Sequence, residues 1–121
     1  MPFNPYEAVN SYLPFHQRVV LLSVLKIARY HKKKKIIYIT DVYDNYIKLC
    51  EECGIEQVYK GRILEALKLI DLAGFIELKN AIKITKLNLG SYTIEDWEEV
   101  IYQDSEFAQF RNYPADSGRF R

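Results

Sequence analysis

Apolar residues in the first third of the chain recur every three or four positions, which is the spacing of one helix face. Pro14 suits the first turn of a helix, because its fixed backbone angle is helical and its missing N–H would have no partner there. The pattern predicts a first helix from Pro14 to about His31, with a broad apolar stripe formed by Phe15, Val19, Leu22, Leu25 and Ala28.

The next segment predicts a short strand followed by a second helix. Ile36–Ile39 is β-branched or aromatic throughout, which is typical of a strand. Thr40 and Asp41 are expected to supply the N-cap of the second helix. That helix should end at Gly54, since glycine readily adopts the left-handed conformation of a helix end.

A third helix is predicted from about Gln57 to Ala73, with Gly74 as its stop. Gly61 weakens the first turn of this helix, because glycine is a poor helix former. Together with the strands that follow, the helix is expected to build a core from Ile63, Ala66, Leu67, Ile70, Phe75 and Ile84.

The segments after the third helix predict a β-hairpin and a last helix. Phe75–Leu78 and Ile82–Thr85 are both strand-like, and Lys79-Asn80-Ala81 between them allows a tight reversal. Alternation along the second strand turns Ile82 and Ile84 inward. Thr93 opens an acidic helix that runs to about Phe110.

The order of helix, short strand, helix, helix, hairpin and helix is that of a winged helix-turn-helix, a mostly α fold with a small β-hairpin. In this fold the third helix enters the major groove of DNA and the hairpin lies beside it. We expect residues 13–110 to form the winged-helix domain, with an N-terminal arm over residues 1–12 and a flexible tail over residues 111–121.

Length and composition limit the class of protein. The chain has 121 residues, 49% of them hydrophobic, which suffices for one domain with one core. The apolar run Val19–Ala28 is too short to span a membrane, and no signal-peptide cleavage site follows it. We therefore expect a soluble intracellular protein in the cytoplasm, associated with the nucleoid if it binds DNA.

Charge is distributed unevenly along the chain, although the formal net charge is only +1. Residues 18–40 contain seven basic and no acidic residues, whereas residues 91–106 contain six acidic and no basic residues. This asymmetry predicts a charge dipole across the molecule, which would orient it on an anionic partner.

Three segments resemble a known family: LPFHQRVVLLSVL (residues 13–25), the stretch from Tyr43 to Leu78, and the closing SYTIEDWEEVI. They are similar to the C-terminal winged-helix domain of the archaeal origin-recognition and cell-division-control replication initiators. The resemblance implies double-stranded DNA binding. Those initiators also carry an ATPase module, but this chain has no phosphate-loop pattern, so we expect no catalytic activity.

The third helix supplies the first set of candidate DNA contacts. Its outward residues are Tyr59, Lys60, Arg62, Glu65 and Lys68. Arginine can pair bidentately with guanine, lysine can contact phosphate, and tyrosine can stack or bond to the DNA backbone. We predict contacts from all of these except Glu65, which phosphates would repel. The alternative is that they are ordinary solvated positions.

Lysines elsewhere supply a second set. Lys79, Lys83 and Lys86 lie on or just after the hairpin, where they would contact flanking phosphates or would guard an exposed sheet edge against aggregation. The run that links the first helix to the first strand offers either further phosphate contacts or a solvated loop, and it comprises Lys32, Lys33, Lys34 and Lys35.

Residue types capable of other chemistry are few. Cys50 and Cys53 have C-x-x-C spacing, but structural zinc needs four ligands and only His16 and His31 remain. We expect two helix cysteines without chemistry, one of them buried, and no metal or cofactor. His16 has no accompanying nucleophile or carboxylate that would make it a catalytic base.

The sequence does not decide what the apolar face of the last helix packs against. Its apolar residues could cover the domain's own core or pair with a second copy in a homodimer, and they are Trp97, Val100, Ile101 and Phe107.

The leading hypothesis is a non-catalytic winged-helix protein that binds double-stranded DNA as a transcriptional regulator or as an origin binder, without a small-molecule substrate. The alternative is a winged-helix module that binds proteins and not DNA, which the near-neutral charge, Gly61 and the acidic last helix favour.

Overall fold

The structure of the chain is a computed structural model that describes residues 9–10, 13–30 and 36–112. The predicted order of elements is confirmed, and so is the fold class, a mostly α winged helix with a small sheet. The elements are α1 (Phe15–Tyr30), β1 (Ile37–Tyr38), α2 (Ile39–Cys53), α3 (Lys60–Leu72), β2 (Ile76–Lys79), β3 (Lys83–Leu87), α4 (Ile94–Tyr102) and a closing 3-10 helix (Ser105–Asn112).

Helix α1 is the centre of the hydrophobic core. Every residue from Arg18 to Ala28 is buried, because α2, α3 and α4 all pack against this helix. The apolar stripe predicted from the sequence therefore accounts for only part of the buried surface of α1. The core residues predicted from α3 and the hairpin are all buried against it, namely Ile63, Ala66, Leu67, Ile70, Phe75 and Ile84.

The three strands form one antiparallel sheet in the order β1-β3-β2. The predicted reversal is confirmed: Asn80 and Ala81 have positive φ angles of 55° and 53°, and the Ile82 N–H donates to the Lys79 carbonyl over 3.1 Å. These are the backbone signs of a type I′ turn, which suits hairpins. The inward placement of Ile82 is wrong, because this residue belongs to the turn and is 58% exposed.

Two predicted helix starts are wrong. Helix α2 begins at Ile39 with Tyr38 at the N-cap and no side-chain cap, so Thr40 and Asp41 already lie inside its first turn. Helix α3 begins at Lys60 and not near Gln57. The stop at Gly54 is confirmed, since this glycine adopts a left-handed φ of 67° and its N–H donates to Cys50.

The predicted last helix divides into two elements. Helix α4 starts with a capping box at Thr93 and ends at Tyr102, after which Asp104 accepts from the N–H of Glu106 at the start of the 3-10 helix. The aromatic rings of Phe107 and Phe110 stack on each other with centroids 5.5 Å apart, and both are fully buried. The apolar residues of this segment thus cover the domain's own core, and Trp97 and Ile101 are buried with them.

The predicted terminal segments lie mostly outside the described residues. Val9 and Asn10 of the predicted arm are described: Val9 is fully buried and the Asn10 amide donates to the carbonyl of Val100. Arg111 and Asn112 of the predicted tail end the 3-10 helix. The rest of both segments, like the lysine run 32–35, is not among the described residues.

Residues of the two oppositely charged segments meet inside the molecule, while Lys32–Lys35, four of the seven basic residues behind the predicted charge dipole, lie outside the described residues, so the dipole stays a prediction. Arg18 pairs with Asp104 at 2.6 Å, and Arg29 pairs with Glu98 at 3.2 Å. Lys26, which is 1% exposed, donates to the Phe110 carbonyl over 3.0 Å. Basic groups of α1 therefore serve to hold α4 and the 3-10 helix.

Lys26, Glu98 and Tyr102 form a buried charge cluster between α1 and α4, which the half-buried Arg29 joins through its ion pair with Glu98. The Tyr102 hydroxyl donates to Glu98 over 3.1 Å, and Lys26 Nζ lies 5.6 Å from the Tyr102 ring centroid. Burial lowers the pKa of Lys26 to about 8, although Glu98 partly opposes this, and burial raises the pKa of Glu98. The cluster thus couples the central helix to the C-terminal elements through groups removed from water.

Candidate nucleic-acid interface

Helix α3 presents an outer stripe of Gly61, Glu65, Lys68 and Leu72, spaced by four, three and four residues. At about 100° per residue, this stripe lies opposite the core face formed by Ile63 and its neighbours. All four residues are exposed. A partner that approaches α3 from solvent meets this outer stripe first.

Lys60 and Arg62 flank the outer stripe on opposite sides. Lys60 faces α2, where its Nζ lies 5.8 Å from the ring centroid of Tyr43, and Arg62 faces the start of α1. Both are exposed, as is Lys68. Within the part of the chain that the structure describes, none of these three cations is in an ion pair, whereas Arg18 and Arg29 are. Their charges are available to an anionic ligand.

The buried side chain of Tyr46 fixes the segment that leads into α3. Its hydroxyl accepts from the Val58 N–H over 3.2 Å and lies 3.1 Å from Nδ1 of His16. Burial raises the pKa of Tyr46, so this hydroxyl keeps its proton. Tyr46 thereby ties α2, the start of α1 and the entry to α3 together at one point, directly before the candidate contact residues.

Replacing Tyr46 by phenylalanine should lower the free energy of unfolding by about 1–2 kcal/mol, because the Val58 N–H loses its partner. The midpoint of urea unfolding measures this. Tyr43→Phe is the matched control, since its hydroxyl has no hydrogen bond within the described residues. Equal midpoints for the two variants would show that the Tyr46 hydroxyl does not anchor the segment.

The hairpin places its lysines on the outer face of the sheet. Lys79 pairs directly with Lys83 across the ladder, and Lys83 pairs in turn with Tyr38 of β1. Like charges opposite each other destabilise a strand pair, and an anionic ligand between them would relieve the repulsion. Lys86 differs, because it lies opposite Glu77, whose carboxylate offsets its charge.

A groove of about 790 Å³ runs between the start of α1 and helix α3. Its lining is largely apolar but also includes the polar residues Gln17, Gln57 and Glu65. Leu69, which lines it, is 48% exposed, and Leu72 on the outer stripe is 84% exposed. Two cations thus stand at the N-terminal end of α3, and two exposed leucines offer apolar surface near its C-terminal end.

Sequence reasoning missed Tyr38 and Tyr43 as parts of this surface, and it missed the buried Tyr46 that supports it. Tyr38 lies opposite Lys83 only because the two-residue strand β1 pairs with β3. The local sequence does not show which strands will pair. Tyr46 sits on the helical period of α2 like any core residue, and only the fold brings its hydroxyl to Val58. The predicted residues Lys32–Lys35 lie outside the described residues.

The cysteines and histidines of the described residues do not form a metal site. Cys50 is buried and Cys53 half-buried, both as free thiols, which confirms that one of the pair is buried. Among the described residues, no group of His, Cys, Asp or Glu side chains is placed to hold a metal ion. In the same residues, no helix combines the length and apolar character that a membrane span requires.

Comparison with known proteins identifies the fold family. The model of the CDC6 C-terminal winged-helix domain matches residues 8–92, which are 85 of the 121 residues. The chain belongs to this family. The match to the CDC6 winged-helix family ends at Tyr92, just before α4, so it includes α3 and the whole hairpin.

Two curated relatives are ORC1-type DNA replication protein 1 from Sulfurisphaera tokodaii, 34% identical over 71 residues, and its namesake from Sulfolobus acidocaldarius, 31% identical over 71 residues. These alignments cover 59% of this chain and 17% of each relative. This member of the CDC6 winged-helix family thus spans about a sixth of the length of the curated relatives it matches.

A solved structure with the same fold is that of the Aeropyrum pernix ORC1 protein in complex with DNA. The TM-score is 0.67 at 20% sequence identity, and the superposition covers 87% of this chain and 28% of that one. The superposed part of that protein therefore has the winged-helix architecture described above.

Proposed function

We propose that this domain binds double-stranded DNA, with α3 in the major groove and the hairpin lysines on flanking phosphates. The observation that carries the proposal is the set of exposed cations on α3, Lys60, Arg62 and Lys68, which have no ion-pair partner among the described residues while other basic groups are paired internally. A fold that neutralises some cations and leaves these free directs positive charge to one helix.

Two further observations support the proposal. The lysines Lys79 and Lys83 face each other on the hairpin, an arrangement that an anionic ligand stabilises. The ORC1 protein of the same fold was solved in complex with DNA. The carboxylate of Glu65 on the outer stripe limits how close phosphates come at the middle of α3, so the phosphate contacts belong to its flanks.

Within DNA binding, we propose a role like that of a replication initiator, at an origin, in preference to transcriptional regulation. The curated relatives are named as DNA replication proteins. The matched domain is the C-terminal winged helix, so the proposed role is recognition of DNA without catalysis, at the nucleoid.

Protein binding is a second candidate function, which the groove between α1 and α3 favours. The groove is lined by Val20, Ile63 and Leu69, and the exposed Leu72 of the same helix adds apolar surface. Apolar surface of this kind marks contact with protein partners. Under this alternative, replacing Leu69 and Leu72 lowers function in the cell, and replacing Lys60 and Arg62 does not.

Fluorescence anisotropy with a labelled duplex of mixed sequence, about two helical turns (~20 bp) long, tests DNA binding directly. We expect binding at ~50 mM salt that weakens log-linearly towards ~200 mM, with a slope of about −0.9 for each phosphate contacted. A duplex of origin-like sequence should then retain a preference at the higher salt. Absence of binding at the lowest salt would remove DNA as the ligand.

A further inference from the structure

Gly61 has an aromatic ring where its side chain would begin. A Cβ atom added at Gly61 would lie 2.8 Å from Cε2 and 3.3 Å from Cδ2 of Tyr59. Carbon atoms that are not bonded attract each other best at about 3.5–4.0 Å, so the ring and a Cβ could not both keep these positions. The edge of the Tyr59 ring therefore rests directly on the Gly61 backbone.

The backbone conformation of Gly61 does not explain the glycine. Gly54, Gly74 and Gly90 all have positive φ angles, which other residues adopt with difficulty, whereas Gly61 is helical. Glycine is also the poorest helix former after proline. The three nearest atoms that a Cβ at Gly61 would meet within 4 Å all belong to Tyr59. The structural use of this glycine is to make room for that ring.

The ring lies at the solvent-facing end of α3, because Gly61 begins the outer stripe of this helix. With no side chain at Gly61, the Tyr59 ring is the group that this end of the stripe shows to a partner. Tyr59 is 66% exposed, more than any other aromatic residue among those described. Its neighbours Lys60 and Arg62 are the cations that flank the stripe.

Building on the proposed DNA binding, we propose that Gly61 is a positioning residue that seats the Tyr59 ring for a direct contact with the duplex. The ring offers an apolar face to a base edge such as the thymine methyl group, and the hydroxyl can bond to the DNA backbone. The contact carries no charge, so it contributes to affinity without contributing to the salt dependence. A side chain at position 61 displaces the ring and removes this contact.

A double-mutant cycle tests the proposal, with Gly61→Ala, Tyr59→Ala, the double variant and the wild-type chain binding the same labelled mixed-sequence duplex. We expect Gly61→Ala to weaken binding about fivefold in the wild-type background and to have no effect in the Tyr59→Ala background. The salt slope should be equal in all four proteins. Thermal unfolding should show a melting temperature for Gly61→Ala at or above that of the wild type, since alanine favours the helix.

The outcomes separate this inference from the proposed function. If the wild type does not bind the duplex, DNA binding fails and the role of Gly61 fails with it. If the wild type binds and Gly61→Ala binds equally well, only the positioning role is overturned. An equal loss in both backgrounds also overturns it, because the added methyl group would then act on the duplex and not on Tyr59. Tyr59→Phe should retain most of the affinity if the ring makes the contact.

Discussion

Replacing Lys60 and Arg62 together by alanine is expected to weaken duplex binding about 30-fold, or ~2 kcal/mol, at low salt. Both side chains are exposed beside the outer stripe, and neither is in an ion pair within the described residues, so their removal takes little from the fold. The slope of log affinity against log salt should fall in magnitude by about 1.8, which is two phosphate contacts. Anisotropy titrations at several salt concentrations measure both quantities.

The control for this variant removes the same charges from other faces of the molecule. Lys48 is paired with Glu52 on α2, and Arg111 is paired with Glu99 beside the 3-10 helix. Lys48→Ala with Arg111→Ala therefore matches the change in net charge without touching α3. If both double variants lose the same affinity, binding depends on overall charge, and α3 is not the recognition helix.

Replacing Glu98 by glutamine is expected to destabilise the protein by about 2–3 kcal/mol, and so to lower its melting temperature by roughly 10 °C. Glu98 is 2% exposed and holds both Arg29 and the Tyr102 hydroxyl. Glutamine has the same shape, so no cavity forms, but Lys26 and Arg29 lose the carboxylate that faces them. Thermal and urea unfolding followed by circular dichroism measure the loss.

Glu99 provides the matched control on the same helix, because its carboxylate pairs with Arg111 at the surface. Glu99→Gln should leave the melting temperature and the urea midpoint nearly unchanged, as is usual for exposed pairs. A second comparison adds Lys26→Met to Glu98→Gln, which removes the stranded cation and should recover part of the loss. Equal stabilities for Glu98→Gln and Glu99→Gln would show that the buried charge cluster does not hold α4 to α1.

The same cluster gives a signature in alkaline solution. Because burial lowers the pKa of Lys26 from 10.5 to about 8, the unfolded chain binds more protons at this residue between those pH values. The Lys26 contribution to the free energy of unfolding therefore rises with pH across that window. Tyr102 and Cys53 have raised pKa values and act in the opposite direction at higher pH, so the difference between wild type and Lys26→Met isolates the effect.

Local patterns predicted the elements of this fold well, but they misplaced the starts of α2 and α3. The helical period of α1, the glycine at Gly54 and the Asn80 turn each act through neighbours in the sequence, and each is confirmed. The segment that leads into α3 is held by a hydrogen bond between Val58 and Tyr46, twelve residues apart, which no local pattern contains. Ile82 fits the alternation of a strand in the sequence, but in the structure it lies in the turn and is exposed.

The sequence predicted individual residues of the candidate site, but it did not predict how they are arranged in space. Lys60, Arg62 and Lys68 were found because they fall outside the apolar period of α3, and they are exposed as expected. Gly61 was interpreted only as a weakness in the helix, since the ring of Tyr59 that lies over it becomes visible only in three dimensions. For the same reason, the runs of charge along the chain did not show that the fold pairs Arg18 with Asp104 and Arg29 with Glu98.

The complete burial of α1 has a consequence for amide hydrogen exchange. Because Arg18–Ala28 is enclosed by the other helices, its backbone amides can meet solvent only when the whole domain opens. Their protection then reports the global free energy of unfolding, which any ligand of the folded state raises by RT ln(1 + [L]/Kd). Deuterium uptake in α1 can therefore be used to measure the affinity of a ligand, whichever face of the domain the ligand occupies.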